Sequence, residues 1–412
     1  MILAACFLLA GSRSPAAAGK AGGLDPLPQG WRITSSSAAP AEQLARISAK
    51  LGGRITHLTN AVLAVDQSTL QVNTMDCASE GDAEAVRKTI LGLKANPAFC
   101  LRRNTRVVEF VCADVRLAVR AGYAMRLVPL EAAYRVSFTV APVAQCDYMS
   151  ANALFNLFLS RSDASRRKEV DAEIAGLRGR FVFGDALCLR SLPGKGKEGY
   201  SFSTPPDKTE LAAQGDVQRL SFKTLPTEAG IPYVTVSGTI RVKAFSFRPS
   251  GRGLADHLRI ATKYWPSDSG AIKQLAKDVA GGCTTDERKV QAVLDWLMPG
   301  RNLRFAGDVT GSRYGVEKVL KQGYGHCWDF ADVFVTLCRA SGVPCRQVGG
   351  WLYEQSGHIW AEVLIQGKGW QQVDPTGGMA CGSRYIPFFT TEDGEMPIVY
   401  LAMPLIEPVA DK

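Results

Sequence analysis

The sequence lacks the features that mark several large classes of protein. Beyond residue 18, no apolar run approaches the roughly 20 residues that cross a bilayer as a helix, so we expect no transmembrane span in the mature chain. No repeat of fixed period is present. The 48 Lys and Arg residues give a net charge of +9, but they are scattered and form no basic stripe with interleaved aromatic residues. These absences disfavour membrane-spanning, solenoid and nucleic-acid-binding proteins.

The sequence also lacks complete motifs for binding phosphate or a metal ion. Residues 194–197, Gly-Lys-Gly-Lys, have no Gly-Lys-Ser/Thr ending at the spacing of a phosphate loop, so we interpret them as a turn. Only four histidines are present. His57 stands alone and is interpreted as structural, and His257 belongs to no sequence pattern that indicates a function. The residues therefore imply no cofactor and no metal site.

The N-terminus has the pattern of an export signal without its positively charged start. Residues 2–10 are largely apolar, and residues 16–18, Ala-Ala-Ala, precede a glycine as small residues do at a signal-peptide cleavage site. We predict a signal peptide over residues 1–18 and an exported protein, whether periplasmic, secreted or at the outer surface. Residues 3–6, Leu-Ala-Ala-Cys, also resemble a lipoprotein box, which leaves lipid attachment at Cys6 as an alternative.

The patterns along the 412 residues predict several domains, as a chain of this length allows. Residues 19–40, rich in Gly, Ala, Ser and Pro, predict a flexible linker. Residues 41–150 alternate between helical and strand patterns and predict a small α+β domain, with a helix at 115–123. Residues 151–254 are first helical and then β-rich, and predict a middle module. Residues 255–412 form the last predicted domain.

The residues that indicate chemistry begin in a glycine-containing loop that runs into a helix. Residues 323–331 read Gly-Tyr-Gly-His-Cys-Trp-Asp-Phe-Ala, and from Cys327 onward apolar residues recur at helical spacing. Gly342 and Pro344 end this helix. Cys327 therefore lies at a helix N-terminus, where free N–H groups and the positive end of the dipole stabilise a thiolate and can hold a developing oxyanion.

A base and an acid for such a thiolate follow on two strand patterns. His358 lies at the start of one strand-like run, and Asp374 ends the next. A hairpin turn centred on Gln366 places Asp374 directly opposite His358 on the same face of the sheet, with Gly367 available for a left-handed turn position. The spacing thus permits a line of Cys327, His358 and Asp374 in which the carboxylate orients the imidazole.

Four segments together resemble the transglutaminase-like superfamily, in the same order and at comparable spacing. They are Tyr-Gly-His-Cys-Trp-Asp-Phe-Ala at 324–331, Arg-Ala-Ser-Gly-Val-Pro-Cys-Arg at 339–346, His-Ile-Trp-Ala-Glu at 358–362 and Gly-Trp-Gln-Gln-Val-Asp-Pro-Thr at 369–376. The resemblance covers roughly residues 255–400. It implies an α+β fold with a papain-like core, in which a nucleophile helix packs on an antiparallel sheet. It also implies Cys327 as nucleophile, His358 as general base and Asp374 as orienting acid.

Departures from the family pattern favour the microbial branch, which includes peptidases and amidases. His326 stands where animal transglutaminases usually have Gln, and Asp329 stands where they have an apolar residue. No acidic cluster with calcium-loop spacing occurs in this domain, so calcium dependence does not carry over. Gln322 is a candidate donor to the oxyanion, or else a plain surface residue. We interpret His326 as a loop residue rather than a second base.

Other residues of this domain have two readings that the sequence leaves open. Four tryptophans either wall a substrate groove or pack in the core; they are Trp328, Trp351, Trp360 and Trp370. Cys338 and Cys345 either pair or remain two buried thiols. Setting aside Cys6 and Cys327 leaves nine of the 11 cysteines, an odd number that cannot all pair internally.

The sequence therefore predicts an exported transglutaminase-like cysteine enzyme that forms a thioester on Cys327 from a protein or peptide amide. Water would resolve the thioester in a peptidase or amidase, and an amine would resolve it in a protein-glutamine γ-glutamyltransferase. The alternative is a catalytically inactive transglutaminase-like fold that serves as a binding or scaffolding protein. The expected partner is a protein or peptide substrate and not a nucleic acid, and oligomeric state is left open.

Overall fold

A computed structural model describes the chain as two compact units, one ending at Val128 and one beginning at Pro129. The described residues are 31–65, 68–93, 99–112, 117–118, 121–122, 125, 127–128, 131–190, 199–211, 217–243, 256–297, 302–306, 313–353, 356–376 and 381–409. The signal peptide predicted over residues 1–18, the turn predicted at 194–197 and most of the helix predicted at 115–123 lie outside them. Within the described ranges, no helix is both long and apolar enough to cross a membrane.

The first unit contains an antiparallel sheet with strand order β1-β2-β3-β5-β4 and helices that include α1 and α2. Its elements are β1 Trp31–Ala38, α1 Ala41–Leu51, β2 Ile55–Val65, β3 Ser68–Cys77, α2 Glu80–Leu91, β4 Cys100–Arg103 and β5 Arg106–Val111. Ile47 of α1 and Val86 of α2 pack in one core with Leu58, Met75 and Val107 of the sheet. This unit has both helices and strands and ends at Val128, whereas the sequence placed the end of its N-terminal α+β domain at residue 150.

Strand β1 shows that the predicted flexible linker was wrong over residues 31–38. The strand pairs antiparallel with β2, from Trp31 opposite Val65 to Ala38 opposite Thr59. Trp31 is buried in the core of the first unit. The Ser- and Ala-rich composition was misleading because backbone hydrogen bonds and one buried anchor can hold an edge strand whose other side chains are small.

The second unit contains the remaining helices and strands. They are β6 Glu131–Gln145, α3 Tyr148–Ser160, α4 Arg167–Leu177, β7 Val182–Phe183, β8 Ala186–Arg190, β9 Ser201–Phe202, β10 Lys208–Leu211, β11 Val217–Ser221, β12 Thr227–Glu228, β13 Ile231–Pro232, β14 Val234–Lys243, α5 Gly270–Ala280, α6 Asp286–Leu297, β15 Arg304–Phe305, α7 Val316–Gln322, β16 Tyr324–Gly325, α8 Cys327–Ala340, β17 Cys345–Leu352, β18 Gly357–Ile365, β19 Gly369–Val373, β20 Tyr385–Thr391, β21 Ile398–Tyr400 and β22 Leu405–Val409. Short 3₁₀ turns occupy Arg178–Arg180 and Asp256–Arg259.

Two sheets of this unit matter for the candidate site. One is the antiparallel sheet β19-β18-β17-β20, and the other has the order β21-β6-β14-β9, with β7 and β22 also paired to β6. Strands β10, β11 and β8 form a third sheet, and β12-β13 and β15-β16 are two-stranded pairs. Strand β6 precedes residue 150, where the sequence placed a domain boundary, but its hydrogen-bond partners are all in the second unit.

Helix α8 is the centre of the α+β core. Every residue from Trp328 to Arg339 is buried, which explains why this helix is apolar on most of its faces. Residues of α5, α6, α7, α8 and strand β18 share one core cluster, represented by Ala276, Leu294, Val319, Phe334 and Val363. The predicted α+β class is confirmed, and so is the predicted packing of this helix against an antiparallel sheet.

The β-rich middle segment is joined to this core by a buried ion-pair cluster. Arg190, at the end of β8, donates from Nη1 to Glu362 Oε2 of β18 at 2.8 Å. Arg346 of β17 donates from Nη2 to the same oxygen at 2.8 Å. Glu362 is fully buried, and both guanidinium groups are nearly so. Local periodicity predicts strands but not their partners, so this association could not be read from the sequence.

Candidate active site

The thiol of Cys327 is placed by the first turn of helix α8. His326 is the N-cap residue, and its Nδ1 accepts a hydrogen bond from the Trp328 N–H at 3.1 Å. Asp329 completes a capping box, because its Oδ2 accepts from the His326 N–H at 3.1 Å. A Cβ at Gly325 would lie 2.5 Å from the Asp329 Cβ, so only glycine fits this turn. Cys327 is therefore the first residue of the helix, as predicted.

The imidazole and the carboxylate come from neighbouring strands. His358 is the second residue of β18, and Asp374 directly follows β19. Their Nε2 and Oδ2 atoms lie 2.9 Å apart. Because Nε2 is bonded to Asp374, Nδ1 is the ring nitrogen that remains for the sulfur, and the His358 ring is one of the two imidazoles that lower the pKa of the Cys327 thiol. The structure thus brings together the three side chains that the sequence singled out.

The hairpin reaches this arrangement through a different register from the predicted one. Ala361 pairs with Val373, and Ile365 pairs with Gly369, so Asp374 is not directly opposite His358. The prediction was wrong by two positions, which is an even number and leaves both side chains on the same face of the sheet. The backbone at Gly367 has a φ of 78°, the left-handed conformation expected of a turn glycine.

Asp374 is held by more donors than the sequence indicated. Its Oδ1 accepts from the Thr376 N–H at 2.9 Å and from the Thr376 hydroxyl at 2.7 Å. Its Oδ2 accepts from the Tyr385 hydroxyl at 2.7 Å as well as from His358. With these donors both carboxylate oxygens are oriented, and the pKa of Asp374 lies below its ordinary value because the interactions with His358, Thr376 and Tyr385 outweigh the effect of burial.

The electrostatics favour an ion pair between sulfur and imidazole. Burial opposes ionisation of the Cys327 thiol, but the His326 and His358 rings outweigh it and lower the thiol pKa from 9.0 to about 6. Burial also opposes protonation of His358, but the Asp374 carboxylate and the sulfur outweigh it and raise the pKa of this ring to about 10. Near pH 7, the stable combination is therefore a thiolate beside an imidazolium.

The structure gives specific positions to several side chains that the sequence left open. His326, interpreted as a loop residue, precedes the helix as its cap and is buried, with 6% of its surface exposed. Gln322 donates its amide to the Tyr324 carbonyl at 2.7 Å, so its donor is used within its own turn. Cys338 and Cys345 are free, buried thiols. Of the two interpretations left open for the four tryptophans, the structure favours core packing, because all four are buried, and the ring of Trp360 lies 6.1 Å from the His358 ring in a stacked orientation.

Two residues of the site escaped the sequence argument altogether. Tyr385 lies on β20, 11 residues after Asp374, and no motif connects the two positions. Tyr148, the first residue of α3, packs its ring 5.4 Å from Trp328 and 5.7 Å from His326. Its position in the site depends on how α3 packs near the N-terminus of α8, which no local pattern reveals.

Comparison with known families agrees with the geometry over the segment that holds these residues. Residues 273–375 match the model of the Transglutaminase-like superfamily. The matched segment contains Cys327, His358 and Asp374 on the helix and strands described above. This part of the chain is therefore a transglutaminase-like domain.

The individual proteins that are similar to this chain either match only part of it or match it at low sequence identity. An uncharacterized protein of Haemophilus influenzae is 33% identical over 93 residues, which are 22% of this chain and 24% of that protein. The uncharacterized protein YebA of Bacillus subtilis is 26% identical over 127 residues, 26% of this chain and 17% of its own length. The chain thus spans a quarter or less of these curated relatives. A solved structure described as a candidate cysteine protease of Cytophaga hutchinsonii is 16% identical with a TM-score of 0.42, covering 68% of this chain and 90% of its own. That structure is too distant for its described activity to transfer to this chain.

Proposed function

We propose that this chain is a cysteine enzyme that transfers an acyl group from a protein or peptide amide through a thioester on Cys327. The proposal is supported by the position of Cys327 at the N-terminus of a buried helix, where the ring of His358, bonded to Asp374 at 2.9 Å, helps to lower the pKa of the thiol. A thiol with a pKa lowered to about 6 is largely ionised at neutral pH, and the protonated imidazole beside it can donate to a leaving group.

The first half of the reaction forms the thioester. The Cys327 thiolate attacks the amide carbonyl carbon, and in this scheme the free N–H groups at the helix N-terminus donate to the oxygen that becomes negative. The imidazolium of His358 then gives its proton to the amide nitrogen as the C–N bond breaks. The nitrogen leaves as ammonia from a side-chain carboxamide or as an amine from a peptide bond. Asp374 keeps the ring in the orientation that this proton transfer requires.

The second half releases the acyl group. His358, now neutral, takes a proton from water or from an incoming primary amine, whose oxygen or nitrogen attacks the thioester carbonyl. The carbon–sulfur bond breaks and the electron pair returns to Cys327 as thiolate. Water gives an acid, as in a peptidase or amidase, and an amine gives a new amide, as in a transglutaminase. Which acceptor is used depends on how well water is excluded from the thioester.

Mass spectrometry of casein incubated with the full chain and a primary-amine probe tests this proposal. Amine incorporation, deamidation and backbone cleavage are three distinguishable products, and any of them should disappear in Cys327→Ser and in His358→Ala. If wild type gives none of the three while iodoacetamide labels Cys327 no faster than the other thiols below pH 8, the scaffold alternative is correct instead.

Export remains part of the proposal, supported by the apolar residues 2–10 and the small residues 16–18 of the sequence. Fractionation of cells that produce the full chain tests it. A protein found only in the cytoplasmic fraction, with residues 1–18 intact, would contradict it.

A further inference from the structure

A cationic and aromatic surface lies beside the first turn of helix α8. Its side chains come from β15, β16 and the segment at the start of α7, and all are at least partly exposed; they are Arg304, Phe305, Tyr314, Lys318 and Tyr324. We infer that this surface, the rim surface, binds acidic side chains of the substrate and so favours peptides whose reactive amide is flanked by Asp or Glu. The inference rests on the proposed function, because it names the class of amide that would reach the Cys327 thiol.

The backbone places the rim surface next to the nucleophile. Strand β15 pairs in parallel with β16, and Phe305 lies opposite Gly325, two residues before Cys327. The other pair of this ladder joins Arg304 to Tyr324. Since an extended chain advances at most about 3.6 Å per residue, the Cα atoms of Tyr324 and Cys327 are no more than about 11 Å apart. About three or four residues of an extended peptide span that distance.

Aromatic rings hold the two cations of the rim surface in place. The guanidinium carbon of Arg304 lies 5.3 Å from the centre of the Tyr324 ring. The Lys318 Nζ lies 4.7 Å from the centre of the Tyr314 ring. The two tyrosine rings pack edge to face, with 6.0 Å between their centres. Both cations are thus in cation–π contacts, which restrict a long side chain without neutralising its charge.

Neither cation is paired with a carboxylate of the described residues. Within that part of the chain, no Asp or Glu oxygen lies within 4.0 Å of the Arg304 or Lys318 nitrogens. Glu317, the neighbour of Lys318 on α7, is exposed and pairs with neither cation. Elsewhere in the same unit an exposed cation does have a partner, as Lys368 has in Glu287 at 3.3 Å. Two fixed positive charges without such a partner are complementary to carboxylates of a bound molecule.

The rim surface is also fixed to the first turn of the nucleophile helix. The ring of Phe305, which is 41% exposed, packs edge to face on Phe330 at 5.8 Å. Phe330 lies three residues after Cys327. The Tyr314 N–H donates to Asp329 Oδ1 of the same turn at 2.8 Å. A substrate would therefore meet a preformed surface, on which Phe305 offers an apolar contact beside the two charges.

Peptides that carry an iodoacetyl group test this preference without requiring turnover. The group is attached to a central lysine side chain, flanked on both sides by Glu, Gln or Lys in three otherwise identical peptides. The rate at which each peptide labels Cys327 is measured by mass spectrometry and divided by the rate for free iodoacetamide, so that a change in the thiol pKa cancels. The full chain is compared with the double variant Arg304→Glu, Lys318→Glu. The matched control, Lys273→Glu with Lys277→Glu, makes the same change of charge at exposed positions of helix α5.

We expect the Glu peptide to label wild type about fivefold faster than the Gln peptide at low salt, because each exposed charge pair contributes a factor of roughly 1.5–5. The preference should shrink in about 0.5 M salt, which screens exposed charges. The double variant should lose the preference and the control should keep it. Arg304→Gln with Lys318→Gln replaces the double variant if thermal unfolding shows that it is not folded. Equal rates for the Glu and Gln peptides in wild type, or an unchanged preference in the double variant, overturn the inference.

A binding measurement separates this inference from the proposed function. Fluorescence anisotropy of the same peptides, labelled with a dye and acetylated in place of the iodoacetyl group, should give the highest affinity for the Glu peptide and lose that order in the double variant. If Cys327 is inert but the order holds, only the proposed function is contradicted. If casein is turned over while the order is absent, only the inference is contradicted. Tighter binding of a single-stranded DNA of equal charge would show that the surface recognises phosphate, and would also overturn it.

Discussion

Replacing Asp374 by Asn should raise the pKa of the Cys327 thiol by removing the charge that keeps His358 protonated. In the native site, burial lowers the His358 pKa, but Asp374 and the Cys327 sulfur outweigh it and raise this pKa from 6.5 to about 10, and the charged ring contributes to lowering the thiol pKa from 9.0 to about 6. Without the carboxylate, only the sulfur opposes the effect of burial on the ring, and we expect the ring to be neutral near pH 7. The thiol then retains only the interaction with His326.

We expect the thiol pKa of Asp374→Asn to rise by about two units, equivalent to roughly 2.7 kcal/mol. At pH 6.5 the ionised fraction of the thiol would fall from roughly three quarters to roughly 3%. Alkylation of Cys327 by iodoacetamide should therefore be about 25-fold slower at that pH, with the difference closing above pH 9. The assay follows the labelled Cys327 peptide over a series of pH values.

The matched control is Asp278→Asn, which removes a carboxylate from an exposed position on helix α5. It should leave the pH profile of Cys327 unchanged. Thermal unfolding of both variants shows whether the protein is still folded at the assay temperature. If Asp374→Asn is folded and its thiol pKa stays within about half a unit of wild type, the ion pair does not depend on this carboxylate and the proposed mechanism is wrong.

Three further predictions concern stability. Tyr385→Phe removes one hydrogen bond to Asp374 and should lower the free energy of unfolding, measured in urea, by about 1.5–3 kcal/mol. The rate of Cys327 alkylation should stay within about threefold of wild type. A tenfold change in that rate would mean that the Tyr385 hydroxyl affects the pKa of the thiol. Glu362→Gln removes the buried carboxylate that two buried guanidinium groups share and should lower the free energy of unfolding by about 3–5 kcal/mol at pH 7. Because the folded-state pKa of Glu362 is lowered from 4.5 to about 2, its stabilising effect is present above pH 4.5 and is lost as the pH falls towards 2, so the gap between wild type and this variant should narrow in urea titrations at pH 3. Gly350→Ala would place its Cβ 2.0 Å from a backbone carbonyl oxygen of β20 and should lower the free energy of unfolding by about 3 kcal/mol. The control Gly270→Ala has open space around the new methyl group and should leave the stability nearly unchanged. Equal unfolding midpoints of the two variants would show that β17 can shift to accommodate the methyl group.

The three candidate residues could be chosen from the sequence because their signals are local. A cysteine after a glycine turn, at the start of a helical pattern, specifies a helix N-terminus without knowledge of the rest of the fold. The hairpin carrying His358 and Asp374 also follows from two strand patterns and a glycine. Its exact register did not follow, since moving the centre of the turn by one residue shifts the strand pairing by two positions and leaves the same side chains on the same face.

What the sequence did not reveal depends on long-range pairing. Tyr148 reaches the site from α3, and Tyr385 reaches it from β20, and neither position stands out in its own segment. The partners of Arg190 are likewise far away in the sequence. The role of His326 as a cap was missed for a different reason: histidine is not among the residues preferred at that position, so composition argued for a loop.

The pairing of strand β6 limits how far the chain can be shortened in a fragment that contains the candidate site. One edge of β6 bonds to β14, and the same strand also bonds to β21 and β22 near the other end of the chain. A fragment trimmed to the matched segment, residues 273–375, would carry the thiol of Cys327 but lose Tyr148, Arg190 and every strand of the sheet that contains β6. The shortest piece that keeps that sheet and the buried charges whole starts near residue 129 and runs through residue 409.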